Sequence, residues 1–143
     1  MDNVYIVYLV DIKKLSPEDM QKNFECYKIK YNKPDFSFER FVELMNDWGN
    51  YPYHITADPQ GYYATYEDAK RNVQSNVCDI NEAGAFPYVV IASMPLDCIY
   101  PTATEKRSFN LFKYDVKQDK YYEINWDEDQ FQRLLKFAKC GGM

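Results

Sequence analysis

Residues 4–10, Val4-Tyr5-Ile6-Val7-Tyr8-Leu9-Val10, form an unbroken apolar run of β-branched and aromatic types. A strand with one wet face alternates apolar and polar positions, so an unbroken run needs cover on both faces. The chain must therefore build a sheet in which this strand is central. Seven residues are also too few to cross a bilayer as a helix. The 143 residues amount to about one domain, long enough to bury a core without disulfides or metal.

Helix signals come next along the chain. Ser16-Pro17-Glu18-Asp19 offers an N-cap, a proline at the first helical position and two acids in the first turn. Met20, Phe24, Tyr27 and Tyr31 then recur as one helical stripe, closed by Asn32-Lys33-Pro34. Ser37 caps a second helix with Phe38, Phe41, Val42, Met45 and Trp48 on its apolar face, and Gly49 stops it. The two read as antiparallel neighbours, a hairpin-like insertion over residues 16–50 within a single domain, 1–143.

Residues 51–56 read as a short strand and Asp58-Pro59-Gln60-Gly61 as a turn. Thr65 caps a third helix with the stripe Ala69, Val73 and Val77. A loop over 79–84 leads to a second apolar strand over 86–94, ended by Pro95. The stretch 95–107 is the most loop-like. Residues 109–116 and 121–126 read as a hairpin across Lys117-Gln118-Asp119-Lys120. One face carries Phe112, Tyr114 and Val116; Tyr122, Ile124 and Trp126 share a face on the second strand. Residues 127–130 cap a last helix packed by Phe131, Leu134, Leu135 and Ala138 and closed by Lys136, Lys139 and Gly141. The order β-α-α-(β)-α-β-β-β-α places the chain in the α+β class, a small mixed or antiparallel sheet with helices packed on it.

The chemistry is defined first by what is missing. No G-x-x-x-x-G-K-[ST], G-x-G-x-x-G, G-x-S-x-G or H-E-x-x-H occurs, so P-loop, Rossmann and the common hydrolase signatures are absent. His54 is the single histidine, and the four cysteines (Cys26, Cys78, Cys98 and Cys140) are scattered. That set does not fit a zinc site, and neither a metal nor a cofactor is expected. Scattered thiols with no sequon and no secretory leader point to a reducing, cytoplasmic setting, with the thiols buried or idle. The net charge is −5, and residues 51–100 carry six acids against Lys70 and Arg71. Nucleic-acid binding needs cations to displace condensed counterions, so this balance argues against it and favours a partner with a basic surface.

The densest feature is aromatic. Tyr51, Tyr53, Tyr62, Tyr63 and Tyr66 fall within sixteen residues of the acidic third, next to Glu67, Asp68, Asp79 and Glu82. Tyrosine offers large contact area at low entropic cost, so these nine residues are the candidate binding surface. The competing reading makes the tyrosines core residues in place of Leu and Phe, and the acids helix caps on a solvated face. Tyr121 and Tyr122, adjacent in a strand, must face opposite ways.

The segments 61–69 (Gly-Tyr-Tyr-Ala-Thr-Tyr-Glu-Asp-Ala), Asn76, 79–84 (Asp-Ile-Asn-Glu-Ala-Gly) and 88–91 (Tyr-Val-Val-Ile) carry a resemblance. The chain over 61–124 resembles a loose group of small uncharacterised bacterial and phage proteins. They share a Thr-x-Glu-x-Ala helix start and an Asp-Ile-x-Glu-x-Gly loop. The resemblance implies no activity and assigns no functional residue.

Three functions stand open. The first is a non-catalytic protein-interaction module or inhibitor of phage or mobile-element type. The second is a protein that binds or sequesters a small molecule or nucleotide, with tyrosines stacking a base and the helix start at Thr65 holding an anion. The third is an enzyme of an unmarked family, whose signature would be His54 beside a cysteine or carboxylate in a cleft. The absence of catalytic motifs leans away from the third. No membrane association is expected, and a homodimer paired along the hairpin edge near Tyr121 is compatible with the pattern.

Overall fold

The computed structural model describes residues 3–48, 51–75, 86–96 and 107–143, with the Trp48 side chain outside that set. Five strands, β1 (Asn3–Lys14), β2 (Tyr53–Tyr63), β3 (Tyr88–Pro95), β4 (Phe109–Asp115) and β5 (Lys120–Ile124), form one antiparallel sheet in the order β2-β1-β3-β4-β5. Among the described residues, four α-helices accompany them: α1 (Pro17–Lys30), α2 (Phe38–Trp48), α3 (Tyr66–Ser75) and α4 (Asp129–Phe137). The fold is α+β, in the order read from the sequence. The chain divides into two compact units, one of Met1–Asp11 with Thr56–Met143 and one of Ile12–Ile55.

In the first unit, the apolar run of β1 lies between β2 and β3, as its unbroken pattern requires. Its register pairs Val7 with Ile91, Leu9 with Val89 and Tyr8 with Val90, and β3 in turn pairs Val89 with Phe112 and Val90 with Leu111. Directly opposed residues share a face, so the sheet separates two layers. Val7, Val89, Ile91, Phe112 and Tyr121 bury one face under Ala69 and Val73 of α3, with Tyr5, Leu9, Tyr63, Tyr66 and Tyr114 packed around them. On the other face, Val90 and Leu111 are fully buried and Tyr88 meets Phe131 of α4 edge-on at 5.3 Å. Arg107 anchors the C-terminal residues beyond α4: its Nε donates to the Ser93 carbonyl and its Nη1 to that of Met143. Gly141, at φ 98°, supplies the left-handed residue that ends the helix.

The expected turn at 58–61 is absent, because β2 runs through Asp58-Pro59-Gln60-Gly61 without a break. The physical reason is position. β2 is an outer strand, and an outer strand tolerates proline because the missing N–H can face solvent. Proline there also blocks pairing with further strands. The hairpin is as read, trimmed at its ends: β4 stops at Asp115 and β5 at Ile124, leaving Val116 in the turn and Trp126 beyond the strand. Asp115 Oδ1 accepts from the backbone N–H of Lys117 and Gln118, and Asp119 takes a positive φ of 50°, a conformation that aspartate tolerates.

In the second unit, α1 and α2 pack through aromatic rings. Phe24 meets Phe41 at 5.4 Å and Tyr27 meets Phe36 at 5.3 Å. Residues later in α1 thus meet residues earlier in α2 or before it, the antiparallel arrangement expected. Met20, Phe24 and Phe41 form the buried centre; Tyr31 and Phe38, expected on the buried stripes, are exposed, and Leu44 is buried instead. Ser16 and Asp19 form a reciprocal capping box, and hydrogen bonds to Ser16 hold the Asp19 carboxyl below its usual value. Ser16→Ala is expected to cost about 1 kcal/mol, read as a lower urea midpoint with an unchanged m-value. A wild-type midpoint in that variant would mean that the cap adds nothing.

Candidate functional site

Alternation along β2 decides the fate of its tyrosines. Tyr63 packs into the cluster under α3, so Tyr62, its neighbour, faces the opposite side. Burial pushes the Tyr8 hydroxyl up, the Arg107 guanidinium pulls it partly back, and Tyr62 adds to the rise. Tyr62 therefore stands on the Tyr8 side of the sheet. It is 66% exposed, and Leu96, just past β3, is 64% exposed. Both line a groove of about 440 Å³ with Asn3, Val4, Tyr63 and Ala64. Three strand ends build it: the start of β1, the end of β2 and the chain leaving β3.

The remaining candidates divide. Tyr66 is half-buried; burial and then the adjoining Glu123, which also hydrogen-bonds to it, push its hydroxyl up. Glu123 accepts in addition from the Asn110 side chain at 2.9 Å. Glu67 and Asp68 are exposed at the start of α3. The Asp68 N–H donates to Thr65 Oγ1 at 3.1 Å, and the Asp68 carboxylate accepts from Arg71 at 2.9 Å. The helix start proposed as an anion site is thus capped by its own threonine and flanked by two acids. Asp79 and Glu82 lie outside the described residues. Tyr51 and Tyr53 belong to the other unit, both half-buried. Of the five candidate tyrosines, Tyr62 is the exposed one.

His54 and Tyr51 line a cleft of about 210 Å³ in the second unit, with Leu15, Met20, Asn23, Met45 and Ile55. Among the described residues, that lining holds neither a cysteine nor a carboxylate. Cys26 and Cys140 are free and exposed rather than buried. Among the described residues, no group of three His, Cys, Asp or Glu is placed to hold a metal ion, and no helix is long and apolar enough to cross a membrane.

Sequence reasoning missed Leu96, Asn3 and Val4, which carried no signal because each joins Tyr62 only through the strand order. No protein-family model, curated protein or solved structure matches this chain.

Proposed function

We propose that this chain is a non-catalytic, cytoplasmic binding protein: an acidic interaction module or inhibitor of the phage or mobile-element type, whose contact with a partner protein centres on Tyr62. The observation that carries this reading is the pair of large apolar side chains, Tyr62 and Leu96, exposed side by side over one groove. Exposed apolar side chains that adjoin one another mark interaction sites more often than scattered ones do, and tyrosine is enriched among the residues that dominate interface energy. The exposed acid Asp58, which alternation places on the Tyr62 face of β2, favours a partner with a basic surface. A small-ligand reading has one observation of its own, the cleft at His54 with an apolar floor and a polar rim of Asn23, Tyr51 and His54.

A photo-crosslinking residue at position 62, with another at the exposed Glu39 of α2 as control, tests the reading in cells. We expect a discrete protein adduct from position 62 alone. We further expect Tyr62→Ala with Leu96→Asp to weaken binding of the captured partner at least tenfold, about 1.4 kcal/mol, while His54→Ala leaves it unchanged. Adducts of equal yield from both positions would refute the contact. A small ligand whose binding is lost in His54→Ala would move the function to the cleft.

A further inference from the structure

A second groove lies at the far edge of the sheet and owes nothing to Tyr62. The register pairs Lys113 with Tyr122, Leu111 with Ile124 and Asp115 with Lys120, so these six residues share the face on which α4 packs. α4 reaches Tyr88 and leaves the hairpin end open. There Tyr122 is 42% and Val116 79% exposed. Lys113, Asp115, Val116, Lys117, Tyr122 and Ile124 line a groove of about 560 Å³.

Around this groove cations outnumber acids, with Lys113, Lys117 and Lys120 against Asp115. Lys28, Arg40 and Arg71 are ion-paired with acids three positions away on their own helices. Lys113, Lys117 and Lys120 make no ion pair among the described residues. The acids nearest them are turned to structural use: Asp115 accepts from two turn N–H groups and Asp119 from the Tyr114 hydroxyl at 2.6 Å. A chain of net charge −5 thus keeps three lysines, outside any ion pair among the described residues, around an exposed tyrosine and valine. β5 is also an outer strand, with a row of backbone groups that no strand of the sheet pairs.

We propose that this edge docks an acidic, extended segment of a partner protein. The segment adds a strand beside β5. Its alternate side chains fall on the groove face, with one apolar side chain between Val116, Tyr122 and Ile124 and its carboxylates over Lys113, Lys117 and Lys120.

The probe is a displayed library of random heptapeptides, selected on the wild-type chain and counter-selected on the Lys113→Glu, Lys117→Glu double variant. The expected winners carry acids on both sides of one large apolar residue. A synthetic winner should bind the double variant about tenfold more weakly, lose affinity as salt rises, and bind Tyr62→Ala as well as wild type. Lys113→Gln with Lys117→Gln and the salt titration of the wild-type chain give the same readouts if the charge reversal fails to fold. Winners without acidic excess, equal affinity for the lysine variants, preferential binding of an oligodeoxythymidylate probe, or a homodimer that buries β5 would each overturn the proposal.

Discussion

Tyr121→Ala is expected to cost about 3–5 kcal/mol, a large share of what a domain of this size has to lose. Tyr121 is fully buried and, among the described residues, is the largest of the fully buried side chains. It sits in the cluster that joins four strands to Ala69 and Val73 of α3, so its removal leaves a cavity that both layers border. Its hydroxyl donates to the Phe86 carbonyl at 2.7 Å, which fixes the chain entering β3. Tyr121→Phe keeps the ring and removes that bond, and should cost about 1 kcal/mol. Tyr122→Ala, one residue on and exposed, should shift stability by less than about 0.5 kcal/mol. Urea unfolding of the three variants checks the ranking. Equal losses at 121 and 122 would mean that the face assignment of β5 is wrong.

That contrast shows what a sequence does and does not reveal about a sheet. Adjacency of Tyr121 and Tyr122 requires opposite faces, but aromatic and apolar residues occupy both faces of β5, so the pattern does not say which is inside. The answer comes from pairing, since Tyr121 opposes Tyr114 and Tyr122 opposes Lys113. The β1 run is legible because an unbroken apolar strand has one solution. The caps at Ser16, Ser37 and Thr65 are legible because their chemistry is local, and each accepts the backbone N–H three residues on. β2 defeats a sequence reading at Pro59 for the opposite reason: proline means a turn in a central position and is harmless at an edge, and only the strand order separates the two.

The tyrosine cluster illustrates the same limit at the level of the site. Five tyrosines within sixteen residues look like one surface. The fold sends Tyr51 and Tyr53 to one compact unit and the other three to another, and alternation along β2 then turns Tyr63 inward and Tyr62 outward. The partner of Tyr62 in the groove is Leu96, distant in the sequence and on the far side of α3 and β3 along the chain. Density along the chain locates the segment that matters. It does not distinguish the residue that faces solvent from those that hold the fold together.

Tyrosines held in the fold make stability fall steeply in alkali. Burial is the first cause that raises the hydroxyls of Tyr8, Tyr63, Tyr66, Tyr88 and Tyr121 above the ordinary tyrosine value of 10.0, because the anion loses its hydration in the fold. Below that value both folded and unfolded chains hold the phenolic proton, and the full stability is present. Above it the unfolded chain releases protons that the fold retains, so unfolding is favoured with each further pH unit. For a tyrosine that stays neutral in the fold the loss is up to about 1.4 kcal/mol per unit. Tyr121 is the strongest case, since no part of it is exposed. Urea midpoints should therefore hold level up to about pH 10 and drop beyond it, with tyrosinate absorbance appearing together with loss of structure rather than before it. Tyr121→Phe starts from a lower stability and should fall along a shallower slope. Parallel slopes for the two proteins would show that Tyr121 ionises freely in the folded state, and a midpoint that rises above that pH would show that the fold releases phenolic protons before the unfolded chain does.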